Sequence, residues 1–395
     1  MTRIVFLGGL GEVGRNMFAV ETRESLVVVD AGLSFPGDDM LGVDLVLPDW
    51  SYVIERSEKC AGVVLTHGHE DHVGALGWLL RDLDVPVFGT PLTLGLAARR
   101  LEELGTKADF VHIAAGETRP VGDVRCHFFA VSHSIPDAIG VAFDTNDGRV
   151  VYTGDFKLDE APIDGRRTDV DHIRALATEG IDLLLSDSTN AEEAGRTRSE
   201  SIVGDKLRAI FAAAHRKIVV ACFASNLHRI QQVCDAAAAS ERVVALVGRS
   251  MIANVEVGRE LGHLHVDDSL LIPVEDIGSL PPERVVILCT GSQGEPLSAL
   301  SLIAAGEHKL VSVERDDTVI LSASPIPGNE AAVHRVINSF YRVGAGVYHS
   351  ETSEVHVSGH AASDELAEML RLCRPRYFAP VHGEFRQLHA HVRIA

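Results

Sequence analysis

The six cysteines of this 395-residue chain (Cys60, Cys126, Cys222, Cys234, Cys289 and Cys373) include no C-x-x-C pair and no small-domain spacing. That excludes a disulfide scaffold or a thiolate zinc ribbon and reads as core thiols in a reducing compartment, so a cytoplasmic protein is expected. No apolar run approaches the length of a membrane span, so no membrane association is expected. Met1-Thr2-Arg3 runs straight into a strand, which argues against a cleavable leader. Positive charge is scarce, with Lys+Arg 36 against Asp+Glu 56 and a net charge of −20. A general polyanion-coating protein is thereby disfavoured, but a nucleic-acid enzyme whose positive charge is local to one cleft is not. Aromatic residues make up only 5%, so base-stacking platforms should be few. There is no internal repeat and no low-complexity segment.

What the chain does have is ample core material, 46% hydrophobic, over a length that suits two or three domains. It also has one dense polar stretch, Thr66-His67-Gly68-His69-Glu70-Asp71-His72, directly after the apolar run Gly62-Val63-Val64-Leu65. The run reads as a buried strand and Val73 to Leu83 as a helix, so the histidines emerge where a strand gives way to a helix. Neutral imidazoles and carboxylates are ligands that zinc prefers. His67 and His69 can face one ion, and Asp71 and His72, around the bend, another.

The N-terminal Gly9-Leu10-Gly11-Glu12-Val13-Gly14 matches G-x-G-x-x-G, but a dinucleotide fold needs a helix after the glycines. Met17–Glu21 and Leu26–Val29 read instead as two strands, with Asp30 closing the second and facing the histidine cluster. Further strands are expected at Val85–Gly89, Phe110–Ile113, Val124–Ala130, Val141–Thr145, Val150–Thr153 and Ile181–Leu185, with a helix over Thr93–Leu104. Four of the strands run into a histidine or an aspartate, which adds His133, Asp155 and Asp187 to the candidates. After a polar boundary near Ser201 the pattern becomes regular βα alternation, the mark of a parallel sheet. The closing stretches His356–His360 and Tyr377–Glu384 read as histidine-rich loops. Two ions need six to eight protein ligands: His67, His69 and His133 suit one, Asp71, His72 and His382 the other, with Asp155 bridging. Two such ions ~3.5–4 Å apart can clamp the attacking and leaving oxygens of a phosphodiester.

The H-x-H-x-D-H loop, Asp30, His133 and Asp155 resemble the metallo-β-lactamase superfamily, and Asp187, His360 and His382 resemble the additional motifs of its β-CASP branch. Within that branch the chain is similar to the bacterial ribonuclease J family over nearly its whole length. The similarity runs through Gly8-Gly9-Leu10-Gly11-Glu12, Ser132-His133-Ser134-Ile135-Pro136-Asp137, Leu185-Ser186-Asp187-Ser188-Thr189-Asn190, Phe223-Ala224-Ser225-Asn226, Cys289-Thr290-Gly291-Ser292-Gln293-Gly294-Glu295-Pro296 and Ser324-Pro325-Ile326-Pro327-Gly328-Asn329. The resemblance implies an α/β fold, a metallo-β-lactamase αββα sandwich with an inserted β-CASP α/β domain. The sandwich would take residues 1–200 and 362–395, the insert 201–361. It implies two Zn²⁺ per chain, with Mn²⁺ the alternative, and hydrolysis of single-stranded RNA in mRNA decay and rRNA maturation. Both endonucleolytic cleavage and 5′→3′ exonucleolytic cleavage, favouring a 5′-monophosphate, are expected.

Catalytic roles fall by resemblance to His360, Asp187 and Asp71, with His360 stabilising charge on the scissile phosphate. Asp30 and Asp187 would accept imidazole N–H bonds from behind, and Asp187 could instead move a proton. Ser225, Asn226, His356, Ser358 and His360 would hold the 5′-phosphate, helped by the positive end of a helix. Family members continue past the segment matching His382 and form dimers or tetramers, so reduced stability and weaker oligomerisation are expected of a chain stopping at Ala395. Competing readings are a thioester- or lactam-type metallo-hydrolase, a β-CASP nuclease acting on DNA and a non-catalytic RNA-binding partner.

Overall fold

The structure, a computed structural model, describes residues 1–36, 40–326 and 328–395; Pro327 of the family-like string Ser324–Asn329 lies outside them. The chain forms two compact units, one of residues 1–160, 165–197 and 359–395, the other of residues 161–164 and 198–358.

The first unit is built on two six-stranded sheets. One runs in the order Arg3–Gly8, Met17–Glu21, Leu26–Val29, Cys60–Val64, Pro86–Gly89, Asp109–His112; the other Tyr377–Val381, Leu183–Asp187, Gly148–Tyr152, Ile139–Thr145, Val124–Ala130, Thr118–Val121. Strand alternation divides their side chains between two faces. Phe18, Val20, Val27 and Val29 join Phe128, Val141, Phe143 and Tyr152 of the other sheet in one core. Met17, Ala19 and Val28 turn the opposite way and pack with Leu76 and Leu79 of helix Leu76–Asp82 and with Leu94 and Leu101 of helix Pro91–Leu104. On the outer face of the second sheet, Phe129, Val151 and Leu184 meet Ile173 of helix Val170–Glu179 and Leu366 and Met369 of helix Ser363–Cys373. The result is helix, sheet, sheet, helix.

The second unit is one six-stranded parallel sheet in the order Leu271–Ile272, Val243–Val247, Val285–Cys289, Ile218–Ala221, Thr318–Leu321, Gly346–His349. Its middle strands, VVILC, IVVA and TVIL, are buried throughout. Such continuously apolar strands are what a parallel sheet covered on both faces requires.

Two expectations need correction. Tyr377–Val381 is a strand, not a loop, pairing in parallel with Leu183–Asp187. Pro380 has no N–H to give a ladder, but the strand lies at the sheet edge, where a missing donor is tolerated. The helix expected over Val73–Leu83 is two, Glu70–Val73 and Leu76–Asp82, interrupted where Ala75 gives its N–H to the Ala31 carbonyl. Helices Val170–Glu179 and Ser363–Cys373 and strand Thr118–Val121 were not anticipated.

Candidate metal centre

The polar stretch turns at the end of strand Cys60–Val64. Its backbone is held by a neighbouring loop: the carbonyls of Glu70, Asp71 and His72 accept N–H bonds from Leu33, Asn16 and Ala31. Gly32 is the close approach that makes this possible, since a Cβ there would lie 1.6 Å from the Asp71 carbonyl oxygen. Asp30 takes a left-handed φ of 57°, a conformation few non-glycine residues adopt, and turns its carboxylate inward. Asp30 Oδ1 accepts from Thr66 N at 2.8 Å and Oδ2 from Thr66 Oγ1 at 2.9 Å and from His72 Nδ1 at 2.8 Å.

The glycine-rich N-terminal loop, which lacks the helix of a dinucleotide site, serves the other end of the chain. Leu10–Gly11 pairs in parallel with Gly383–Glu384, and the Gly9 carbonyl accepts the His382 N–H at 2.9 Å. His382 also sits at positive φ, 52°.

All seven residues expected to bind metal come together. His67, His69, His133 and Asp155 form one group and Asp71, His72, Asp155 and His382 another, the donor atoms within each lying within 4.8 Å of one another. In the first, His69 Nδ1 is 3.0 Å from His67 Nε2 and 3.1 Å from His133 Nε2. The far ring nitrogens fix the tautomers: His133 Nδ1–H donates to the Gly359 carbonyl at 2.9 Å, and His67 Nδ1 lies 3.1 Å from Thr66 Oγ1, which donates to Asp30. Both Nε2 atoms are thus left as lone pairs. Lone pairs converging beside the Asp155 carboxylate repel one another unless a cation stands between them, so the donor set fits a metal ion.

In the second group, Asp155 Oδ2 lies 3.2 Å from His72 Nε2, and Asp71 Oδ2 lies 3.3 Å from His382 Nε2. Asp155 Oδ1 accepts from His382 Nδ1 at 2.8 Å. Asp155 also lies in a third set, with Asp187, His360 and His382, where His360 Nδ1 donates to Asp187 Oδ2 at 2.8 Å.

Burial pushes the imidazoles of His67 and His133 well below the usual range and that of His69 down to about 4. Burial acts on His72 and His382 in the same direction but is outweighed there. Asp155, Asp71 and Asp30 hold His72 well above its ordinary value, and Asp155, helped by Asp71 and Asp187, lifts His382 to about 10. For His360, too, Asp187 overcomes burial and raises the ring. Burial raises the Asp30 carboxyl against the opposing pull of His72.

The remaining candidates lie in the second unit. Ser225 is half-buried ahead of helix Leu227–Ala239, and Asn226 caps that helix, its Oδ1 accepting the Arg229 N–H at 2.9 Å. Asn226 is 2% exposed, so its side-chain oxygen is spent on the cap rather than open to a ligand. His356 and Ser358 are half-buried in an irregular segment. The sequence reading missed Asn16, whose Nδ2 lies 3.3 Å from Asp71 Oδ2 and 3.1 Å from His72 Nε2, and the carbonyl of Gly359. No motif marks either. Gly359 must be glycine because a Cβ would lie 2.7 Å from the His133 ring.

Comparison with known proteins matches residues 10–203 to the metallo-β-lactamase superfamily, 215–340 to the ribonuclease J β-CASP domain and 349–394 to a Zn-dependent metallo-hydrolase RNA specificity domain. The chain is 45% identical to Ribonuclease J of Mycolicibacterium smegmatis over 394 residues, covering all of this chain and 71% of that protein. The chain belongs to the ribonuclease J family. Ribonuclease J2 of Bacillus subtilis is 41% identical, again over 100% of this chain and 71% of the relative, and Ribonuclease J of Helicobacter pylori strain J99 is 41% identical over 100% and 57%. A crystal structure of a protein of unknown function from Enterococcus faecalis V583 shares the fold, with a TM-score of 0.69, 15% identity and coverage of 98% of this chain and 95% of that one. This ribonuclease J family member is therefore a metal-dependent nuclease with a metallo-β-lactamase domain and an inserted β-CASP domain, and its buried His/Asp cluster fits a metal site. Among the described residues no helix is long and apolar enough to cross a membrane.

Proposed function

We propose that the chain hydrolyses single-stranded RNA at a pair of zinc ions, 5′→3′ from a 5′-monophosphate end and also endonucleolytically, in mRNA decay and rRNA maturation. The observation that carries this reading is the sharing of Asp155 between two donor groups, one with His67, His69 and His133, the other with Asp71, His72 and His382. Zinc is preferred to manganese because five of the seven donors are imidazoles, whereas manganese favours carboxylate and water oxygens. When bound, the ions supply Lewis-acid polarisation of the phosphodiester.

The chain's own side chains do the rest. Asp30 and Thr66 orient the His72 and His67 rings, and Asp155 aims His382 by accepting its Nδ1–H. Asp187 takes the Nδ1–H of His360, leaving Nε2 as the atom that meets charge developing on the scissile phosphate. Asp71 remains the catalytic carboxylate, 30% exposed where Asp155 and Asp187 are buried. In the second unit, Ser225, the amide end of helix Leu227–Ala239, His356 and Ser358 would bind the 5′-phosphate, with Asn226 contributing through the cap.

Residues 1–200 and 362–395 are the proposed metallo-β-lactamase domain and 201–361 the β-CASP insert. The two compact units and the family matches support that division. Six unpaired cysteines suit a reducing compartment, and the cytoplasm is the proposed location.

The test is digestion of 5′-monophosphorylated single-stranded RNA, the matched DNA and a thioester, each with and without chelator, beside elemental analysis of the purified protein. Chelator-sensitive hydrolysis of RNA alone, with two zinc ions per chain, is expected. Thioester turnover or equal cutting of DNA would replace the reading.

A further inference from the structure

Arg229, at 0% exposure, is the largest fully buried side chain among the described residues, and its guanidinium joins four separate segments of the second unit. Nε donates to Glu200 Oε1 at 3.1 Å and to Gln232 Oε1 at 3.0 Å, and Nη2 donates to the same Glu200 oxygen. Nη1 reaches the Ser322 carbonyl at 3.2 Å, the Ser322 hydroxyl, and the Val355 carbonyl at 2.7 Å. Ser322 Oγ adds a bond to the Val355 carbonyl at 2.6 Å, and Gln232 Nε2 donates to the Glu200 carbonyl at 2.8 Å.

A buried ion pair is a costly way to stabilise a core, because apolar side chains of similar volume often do as well or better. Apolar side chains cannot carry several fixed donors to main-chain oxygens in different loops, whereas a guanidinium does so in one plane. The segments tied here are informative. Asn226 Oδ1 caps the first turn of helix Leu227–Ala239 by accepting the Arg229 main-chain N–H, and from that same turn the Arg229 side chain holds, through Nη1, the carbonyl of Val355, one residue before His356.

We propose that Arg229, neutralised by Glu200, is a positioning residue that holds the start of helix Leu227–Ala239, and with it Ser225-Asn226, in register with the His356–Ser358 segment and thereby sets discrimination for a 5′-terminal phosphate. This rests on the reading above that those two segments bind that phosphate. Arg229 itself, wholly buried, touches no substrate.

The experiment compares wild type with Arg229→Lys, which keeps the charge and loses the fork, and with the double variant Arg229→Met/Glu200→Met, which removes both charges at similar volume. Each is assayed on 5′-monophosphate and 5′-hydroxyl linear RNA and on a circular RNA that has no end, with metal content and thermal denaturation measured alongside. A fall of at least fivefold in the monophosphate-to-hydroxyl preference is expected, with circular-RNA cleavage within threefold of wild type and metal content unchanged. A smaller fall in preference, or circular-RNA cleavage dropping as far as the monophosphate activity, overturns the proposal. Should the double variant not fold, Arg229→Lys decides alone. A wild type with no preference between the two ends would instead sink the phosphate-site reading underneath.

Discussion

Around Asp155, the rings of His67, His69 and His133 are pushed toward the neutral form by burial, while His72 and His382, no less buried, are held toward the charged form. Residue type and depth are alike in the two halves, so neither explains the difference. Carboxylate count does. The first half faces Asp155, with Asp71 reaching His69; the second meets Asp155 and Asp71 at closer range, with Asp30 behind His72 and Asp187 beside His382. One half offers lone pairs, and the other calls for positive charge, whether a proton or a cation supplies it.

The sharpest way to break this comparison is to remove what the halves share. Asp155→Ala is expected to lose both ions and at least about 10³-fold in rate, whereas His67→Ala should lose about one ion along with most activity. Elemental analysis beside RNA hydrolysis separates them, and an Asp155→Ala protein with two ions would end the idea of a shared carboxylate. Next comes His360, outside both halves. His360→Ala should keep both ions and lose about 10²-fold in rate, as removal of a group facing transition-state charge does. A loss of no more than threefold would take that role from His360.

Thr66→Val tests the support behind the ligands, since its hydroxyl touches both Asp30 and His67. Metal affinity should fall by about tenfold, the lower end for such outer partners, and activity should return at high zinc. An unchanged chelator titration would show the hydroxyl to be idle. The smallest effect concerns His391, at 0% exposure, which contacts Ser188 Oγ at 3.0 Å and which burial pushes down to about 4. Its unfolded form binds a proton below pH about 6.5 and its folded form does not. Stability from the neutral ring is therefore present above that pH and is lost as the pH falls toward about 4, by on the order of 3 kcal/mol. In His391→Phe the melting temperature should depend less steeply on pH over this window, and an unaltered slope would mean that other groups carry the acid sensitivity.

The candidate cluster was readable because its members lie at or just past strand ends, where short continuous apolar runs give way to a histidine or an aspartate: Val64 before the H-x-H-x-D-H turn, Tyr152 before Asp155, Leu185 before Asp187. The regular βα alternation after Ser201 was equally plain, since Ile218–Ala221 and Val285–Cys289 are uniformly apolar. Strand Tyr377–Val381 was not, because Pro380 argues against a strand unless its place at a sheet edge is known, and edges are set by tertiary pairing. Asn16 and the Gly359 carbonyl were invisible for a related reason. An amide or a main-chain oxygen carries no local signature, and its partners, His72 and His133, are distant in sequence. Asn226 carries two readings at once: a polar residue at a helix start suits a ligand, and its Oδ1 is also what caps the helix.

Strand Tyr377–Val381, which delivers His382, lies at the edge of its sheet and pairs, among the described residues, with Leu183–Asp187. A ribosome reading this message therefore releases His67 through Asp155 long before it releases the last ligand, and segments that emerge first fold first. Until His382 emerges, the nascent polypeptide holds Asp71, His72 and Asp155 without the fourth member of their donor group.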